Sequence, residues 1–192
     1  MKRRAVFLDR DGVLNELVLN PKTAEYESPY SLETVQILDG AVDAARKLRE
    51  AGYLLFIVSN QPNVAKKKNT LEELNAIAAH IRSAFERAQV AIEREYYCLH
   101  HPHGIAPEYS GPCECRKPGS KSLLDARDAF ELDLAQCWMI GDQETDIQCG
   151  RNAGCRTILV ENPLSALRRT GKEAPTCRAS NLLHAVEQLL AL

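Results

Sequence analysis

The sequence lacks a marked excess of either charge, a long apolar run, internal repeats and low-complexity segments. Its 192 residues include 24 basic and 26 acidic side chains, so the net charge is only −2. A balance this even gives no reason to expect a nucleic acid or a membrane surface as a partner. The chain starts with a basic tripeptide after Met1, as signal peptides do, but only a short apolar run then precedes Asp9. We therefore expect no secretory or membrane-spanning segment, and a protein that stays in the cytoplasm.

Disulfide bonds are not expected either. The chain has seven cysteines, an odd number, and at this length it can bury a full core without covalent cross-links. In a reducing compartment, clustered cysteines are interpreted first as metal ligands. Cys98-x-His100 and Cys113-x-Cys115 supply two close pairs, a Cys₃His set suited to tetrahedral structural zinc. The alternative interpretation is that these are buried free cysteines.

The loop that carries these ligands, residues 98–115, is rich in proline and glycine and has little regular structure of its own. Zinc would order this loop and would fix Arg116 and Lys117, which follow the last ligand. His101 and His103 are expected to be solvated or to support the ligands, without binding the metal. The remaining cysteines lie in apolar or helical stretches and are expected to pack in the core: Cys137, Cys149, Cys155 and Cys177.

The stretch around which the chain is organised lies near its start. Residues 5–8 are apolar and are predicted to form a buried strand of a parallel sheet. Asp9, Asp11 and Gly12 follow this strand directly. Side chains two apart in an extended chain point the same way, so the two acids can face one site. Neighbouring carboxylates repel, and a hard cation such as Mg²⁺ would hold them ionised. The alternative is a strand end capped by solvated acids.

The remaining pattern predicts an α/β fold: a single domain over residues 1–192 with a Rossmann-like parallel sheet and helices on both faces. Residues 16–38 are expected to form a loop over one side of the site. Strands are predicted near residues 5–8, 53–58, 91–97, 137–140 and 155–160. Helices are predicted near residues 40–51, 70–88, 121–130, 146–154 and 180–192.

Three of the apolar runs end in reactive polar residues. The first ends in Asp9 and Asp11, a second in Ser59 and Asn60, and a third in Asp142. In an open parallel sheet these ends lie along one edge, where such folds bind ligands. Residues far apart in the sequence are therefore expected to meet at one site.

These motifs resemble those of a known superfamily. They are Asp9-x-Asp11-Gly12-Val13, Ser59 after an apolar strand, Lys117, and Gly141-Asp142 with Asp146. Their order and context resemble the four motifs of the haloacid-dehalogenase superfamily of phosphotransferases, over nearly the whole chain. Within it, the first motif, Ser-Asn-Gln and the loop ending in Cys-Arg-Lys-Pro are similar to the D-glycero-D-manno-heptose-1,7-bisphosphate phosphatase group. The histidinol-phosphate phosphatases are close relatives of that group.

The resemblance implies roles for the acidic residues. Asp9 would attack phosphorus and form an aspartyl-phosphate, and Asp11 would act as general acid and then as general base. Mg²⁺ would be held by the Asp9 carboxylate, the Asp11 main-chain oxygen and Asp142. Asp146 would orient coordinated water without touching the metal.

The resemblance also implies roles for four residues that bind substrate. Ser59 and Asn60 would hold phosphoryl oxygens, and Lys117 would offset the charge of Asp9 and of the phosphate. We expect Arg116 to bind the substrate's other phosphate or its sugar, because a guanidinium binds phosphate bidentately. The alternatives are a turn-capping hydroxyl for Ser59, a solvated surface lysine for Lys117 and a surface ion pair for Arg116.

Part of the sequence departs from the heptose-phosphatase pattern, at positions that bear on the identity of the substrate. Residues 62–67 and 119–122 differ from the usual runs, and Gln143 stands where a lysine is usual. The lysines at positions 66–68 are expected to form a solvated face, with attraction of phosphate as the alternative.

The expected function is Mg²⁺-dependent hydrolysis of a sugar bisphosphate, and the resemblance implies that the 7-phosphate is removed. The enzyme is expected to be a monomer and to bind zinc as well. The gaps between motifs are too short for a large cap domain, so the site is expected to be open and capless. The alternatives are a histidinol-phosphate or other small-molecule phosphatase and, in a different class, an inactive zinc-stabilised scaffold.

Overall fold

The computed structural model describes residues 2–192 and has a parallel sheet at its centre. Six strands lie in the order β5-β4-β1-β6-β7-β8, and every neighbouring pair in this sheet runs parallel. A separate antiparallel pair joins β2 and β3. The strands are β1 (Ala5–Leu8), β2 (Val18–Asn20), β3 (Glu25–Glu27), β4 (Leu54–Asn60), β5 (Arg94–Cys98), β6 (Trp138–Gly141), β7 (Arg156–Val160) and β8 (Cys177–Ala179).

Helices cover both faces of the sheet, as the sequence predicts. Along β1 the side chains alternate, so Val6 and Leu8 enter one hydrophobic cluster while Ala5 and Phe7 enter the other. Helices α1, α2 and α5 pack on the first face, and α3 and α4 pack on the second. The helices are α1 (Ala41–Glu50), α2 (Leu71–Arg87), α3 (Lys121–Phe130), α4 (Glu144–Ala153) and α5 (Leu182–Ala191).

Local signals set the helix ends. The Thr70 hydroxyl accepts a hydrogen bond from the Glu73 amide (3.1 Å), and the Glu73 carboxylate accepts one from the Thr70 amide (2.7 Å). This reciprocal capping box starts α2 as predicted. Helix α4 stops at Gly154, which takes a left-handed conformation (φ 83°) that favours glycine. Among the residues described, none of the helices combines the length and apolar content needed to cross a bilayer.

Two parts of the chain differ from expectation. Residues 16–38, predicted as a loop, contain the β2–β3 hairpin and a short 3₁₀ turn, Leu32–Thr34. The sheet also gains a sixth strand, β8, that the sequence does not indicate. Each of these strands has only three residues, which is too short for alternation to be detected.

The sheet order places a crevice at its centre. From β1 the chain first continues to β4 on one side and later to β6 on the other, so the strand order reverses between β1 and β6. Open α/β sheets bind ligands at such a switch point, beyond the carboxyl ends of the strands. Asp9 follows β1 and Asp142 follows β6, so both lie at this crevice.

Candidate active site

Three carboxylates meet at the crevice and form what we call the acidic cluster: Asp9, Asp142 and Asp146. One carboxylate oxygen from each lies within 4.8 Å of the other two, and all three residues are buried. The ladder between β1 and β6 continues to the Asp9 amide, which donates to the Ile140 carbonyl (2.9 Å). Asp146 comes from the first turn of α4. The predicted convergence of the first and last motifs is therefore present in the structure.

Burial and mutual repulsion disfavour the charged forms of Asp9 and Asp142. Burial is the main cause that raises the pKa of Asp9 from 3.8 to about 6; Lys117 opposes the rise, and Asp146 and Asp11 add to it. Burial, together with Asp9 and Asp146, raises the pKa of Asp142 to about 7. A bound cation would favour the charged forms of Asp9 and Asp142.

Lys117 supplies part of that charge. Its ammonium lies 2.9 Å from Asp9 Oδ1 and 2.6 Å from Asp146 Oδ1, and it donates to the Val58 carbonyl (2.8 Å). Burial alone would lower the pKa of Lys117, but Asp146 and Asp9 more than offset this, so the pKa is raised. The predicted link between Lys117 and Asp9 is thus present, and the residue is only 3% exposed, so it is not a solvated surface lysine.

The acidic cluster fits a hard divalent cation. Its donors are all carboxylate oxygens, which Mg²⁺ prefers, and its three charges face a single ammonium. Asp146 is already engaged, since Oδ1 pairs with Lys117 and Oδ2 accepts from the Gln143 amide (2.9 Å). Asp9 and Asp142 are therefore the carboxylates freer to bind an ion.

Asp11 lies in a different environment, surrounded by hydrogen-bond donors. Its carboxylate accepts from the Arg10 guanidinium (3.0–3.2 Å), from Gln61 Nε2 (2.6 Å) and from Asn15 Nδ2 (3.0 Å). Burial alone would raise the pKa of Asp11, but Arg10 and the amide donors lower it. Sequence reasoning missed Arg10 and Gln61, although each adjoins a predicted site residue.

Ser59 and Asn60 reach the crevice from the end of β4. Ser59 is buried and its hydroxyl accepts from Gln61 Nε2 (3.0 Å). Asn60 was predicted to hold phosphoryl oxygens with its amide, but its oxygen accepts from the Lys117 amide (3.0 Å) and its Nδ2 donates to the Lys117 carbonyl (3.1 Å). Asn60 therefore fixes the backbone of Lys117 and keeps one amide hydrogen for a ligand.

These residues line a cavity of about 550 Å³. The β2–β3 hairpin forms one wall, where Glu27 pairs with Lys68 (2.5 Å). Lys66, Arg116 and Arg168 also line the cavity and, within residues 2–192, form no ion pair with a carboxylate. The lining consists of Asp9, Asp11, Leu17, Thr23, Glu25, Glu27, Ser28, Ser59, Asn60, Pro62, Asn63, Lys66, Lys68, Arg116, Lys117, Asp142, Gln143, Thr145, Asp146 and Arg168.

The lysine run does not act as one surface. Lys66 and Lys68 line the cavity while Lys67 does not. Burial lowers the pKa of Lys66, and the nearby Lys68 and Arg116 lower it further, against the effect of Glu27. Two lysines of a run expected to form a solvated face therefore belong to the cavity wall.

The predicted zinc ligands also come together, as a cluster of Cys98, His100, Cys113 and Cys115. The Sγ atom of Cys98 lies 3.1 Å from that of Cys115 and 3.5 Å from that of Cys113. One ligand atom from each of the four residues lies within 4.8 Å of the others, and neither His101 nor His103 belongs to the group. Three sulfurs and one imidazole form the donor set of a structural zinc site.

This Cys/His cluster is tied directly to the acidic crevice. The main-chain amide of Gln61 donates to the Cys98 carbonyl (2.7 Å), and the Arg116 guanidinium donates to the His100 carbonyl (3.2 Å). Because Arg116 and Lys117 follow Cys115 directly, a metal in the cluster would limit the movement of both cations.

Comparison with known proteins identifies relatives of the whole chain. A family model described as HAD-hydrolase-like matches residues 114–185. The chain is 33% identical over 177 residues to the D-glycero-beta-D-manno-heptose-1,7-bisphosphate 7-phosphatase of Salmonella typhi. The alignment covers 92% of this chain and 86% of the relative. The corresponding 7-phosphatase of Thermosynechococcus vestitus is 35% identical over 165 residues, covering 84% and 80%.

A solved structure agrees with these matches. It is the D,D-heptose 1,7-bisphosphate phosphatase from B. bronchiseptica, complexed with magnesium and phosphate. The two folds superimpose with a TM-score of 0.79 over 98% of each chain, at 26% identity.

Replacing Lys117 tests the charge balance of the acidic cluster. In metal-free protein, Lys117→Met should lower the free energy of unfolding by about 3–5 kcal/mol, because it leaves Asp9 and Asp146 buried without their cation. Lys121→Met is the matched control, since Lys121 pairs with Asp125 (2.9 Å) at an exposed site and should change stability little. Urea denaturation in the presence of a chelator measures both. Equal losses for the two variants would contradict this balance.

Proposed function

The chain belongs to the haloacid-dehalogenase-like hydrolase family that includes the D-glycero-D-manno-heptose-1,7-bisphosphate 7-phosphatases, and on that premise we propose that it hydrolyses a sugar bisphosphate with Mg²⁺. The proposed substrate is D-glycero-D-manno-heptose 1,7-bisphosphate, and the phosphate removed is at position 7. The observation that carries this proposal is the acidic cluster, which is tied to Lys117 and open to a cavity. Three further cations line that cavity and have no carboxylate partner among residues 2–192.

Asp9 is the proposed nucleophile. Lys117 and the Arg10 amide, at 2.9 Å and 2.7 Å, both hold its Oδ1, which fixes the orientation of the carboxylate. Attack by Asp9 on phosphorus forms an aspartyl-phosphate as the bond from phosphorus to the sugar oxygen breaks. Mg²⁺, bound by Asp9, Asp142 and the Asp11 main-chain oxygen, would supply charge to offset the transferred phosphoryl group.

Asp11 is the proposed acid and base. The surrounding donors lower the pKa of Asp11 in the free site, and the negative charge of a bound phosphate would raise it again, so that Asp11 is protonated before the first step. In the first step it gives that proton to the departing sugar oxygen, and in the second it takes one from the water that attacks the aspartyl-phosphate. The second step releases phosphate and restores the Asp9 carboxylate. Arg10, Gln61 and Asn15 hold the Asp11 side chain in one orientation for both steps.

The cations of the cavity support a substrate with a second phosphate. Ser59 and Asn60 lie beside the acidic cluster and are proposed to hold the phosphoryl group that is transferred. Arg116 and Lys66 line the same cavity without carboxylate partners among the described residues, and Arg116 can bind a phosphate bidentately. We assign the second phosphate to Arg116 and Lys66.

Zinc in the Cys/His cluster has a structural role in this proposal. With three sulfurs and one imidazole the site is complete, so no position is left for substrate. Zinc would keep Arg116 and Lys117 in place at the end of the loop over residues 98–115. Residues 1–192 are proposed to act as one domain.

The phosphatase proposal is tested by measuring phosphate release with and without Mg²⁺. Candidate substrates are heptose 1,7-bisphosphate, sugar monophosphates and histidinol phosphate. Wild type should prefer the bisphosphate, and Asp9→Asn should lower its kcat by roughly 10⁴-fold or more. Asp43→Asn, at an exposed acid on α1, is the matched control and should retain activity. Preference for histidinol phosphate would overturn the proposed substrate. If no phosphate were released from any ester, the result would favour an inactive scaffold.

The zinc proposal is tested by metal analysis of the purified protein. We expect about one zinc per chain, and Cys113→Ser should lower that content because it removes one of four ligands. Cys177→Ser is the control, since Cys177 lies on β8 outside the cluster. A fully metallated Cys113→Ser protein of unchanged stability would count against the site.

A further inference from the structure

We propose that Asn162, Ser165 and Arg169, together called the clasp, are positioning residues that hold the two acidic segments of the cation site at the separation Mg²⁺ requires. This role rests on the proposed function, which places Mg²⁺ between Asp9 and Asp142. The clasp residues act through those two segments and do not touch the reacting atoms.

Asn162 holds the first acidic segment. It is buried, and its Nδ2 donates to the Gly12 carbonyl (3.0 Å). Its Oδ1 accepts from the Leu164 amide (2.9 Å), which fixes the amide with its donor end towards Gly12. Both ends of the buried side chain are thus paired, and one of them is committed to the loop that carries Asp9 and Asp11.

Arg169 holds the second acidic segment. Its Nη1 donates to the Asp142 carbonyl (3.1 Å) and to the Ser165 hydroxyl (2.8 Å), and its Nη2 donates to the Asn162 carbonyl (3.1 Å). Ser165 is fully buried and its hydroxyl donates to the Asn162 carbonyl (3.1 Å). The clasp, Gly12 and Asp142 therefore form one connected network.

The sheet alone does not fix the distance between these segments. Its ladder reaches only to the bond from the Asp9 amide to Ile140. Beyond it, within the described part of the chain, no direct hydrogen bond joins residues 10–12 to residues 141–143. The packing is nevertheless close, since a Cβ on Gly12 would lie 2.5 Å from Asp142 Oδ2. Repulsion among the carboxylates would push the two segments apart, and the hydrogen bonds of the clasp hold them together against this repulsion.

The choice of cation makes this role measurable. Mg²⁺ requires near-ideal octahedral geometry with oxygens at about 2.0–2.1 Å, whereas Ca²⁺ accepts irregular sites at about 2.3–2.6 Å. A site that loosens therefore loses affinity for Mg²⁺ more than for Ca²⁺. A general loss of folding stability would not produce this selective change.

The test is to titrate Mg²⁺ and Ca²⁺ separately into the full-length protein by calorimetry, without substrate. In Asn162→Ala and Arg169→Met the Kd for Mg²⁺ should rise about 10-fold, with a smaller rise for Ca²⁺. Arg169→Lys, which keeps a donor, should recover part of the affinity for Mg²⁺. Arg178→Met is the matched control. Arg178 lies on β8 and forms an exposed ion pair with Glu161, so this variant should bind both ions as wild type does.

Equal losses for the two ions, or wild-type affinities in the variants, would overturn the role of the clasp while leaving the proposed function intact. Wild type that binds neither ion would overturn the cation site, and the proposed function with it. If Asn162→Ala fails to fold, Arg169→Met provides the same comparison, because Arg169 is only partly buried.

Discussion

The two ion pairs that one buried ammonium forms with two buried carboxylates are the constraint on which this site depends. Lys117 contacts Asp9 after β1 and Asp146 on α4, and it also donates to the carbonyl of Val58 on β4. A single side chain thus joins three segments that are distant in sequence. One ammonium does not balance three carboxylates. Burial is the main cause of the raised pKa values of Asp9 and Asp142, and repulsion from the neighbouring carboxylates adds to it.

The surroundings of the crevice follow from that deficit. A divalent cation would supply the missing charge, and the transferred phosphoryl group needs the same charge in its transition state. Asn60 fixes the Lys117 backbone, and a metal in the Cys/His cluster would fix the loop that ends in Arg116 and Lys117. The clasp ties Gly12 to Asp142. Hydrogen bonds from neighbouring residues therefore hold Lys117 and Asp142 in place.

Much of this arrangement could be predicted from the sequence because buried parallel strands leave a clear pattern. An apolar run that stops at Asp9 or Asp142 marks both a strand and the edge at which it ends. The paired spacing of the cysteines and His100 indicated a cluster that the structure forms. The capping box at Thr70 depends on neighbours in the sequence, so the start of α2 too could be predicted.

The rest could not be predicted because it depends on contacts between distant parts of the chain. Asn162 and Gly12 are 150 positions apart, and nothing in the residues around Asn162 distinguishes it from an ordinary turn residue. The hairpin beside the cavity has strands of three residues, too short for a periodic signal. Arg10 looked like a spacer between two acids, yet it is fully buried and binds Asp11.

The most direct measurement is to trap the phosphorylated enzyme during turnover. Heptose 1,7-bisphosphate and Mg²⁺ are mixed with the protein, the reaction is quenched rapidly, and borohydride reduces any acyl phosphate to the alcohol before peptide mass analysis. The modification should appear at Asp9, only with both substrate and Mg²⁺, and should disappear as turnover ends. Phosphate release with Asp9 unmodified throughout, or with the modification at another residue, would contradict the central role of Asp9.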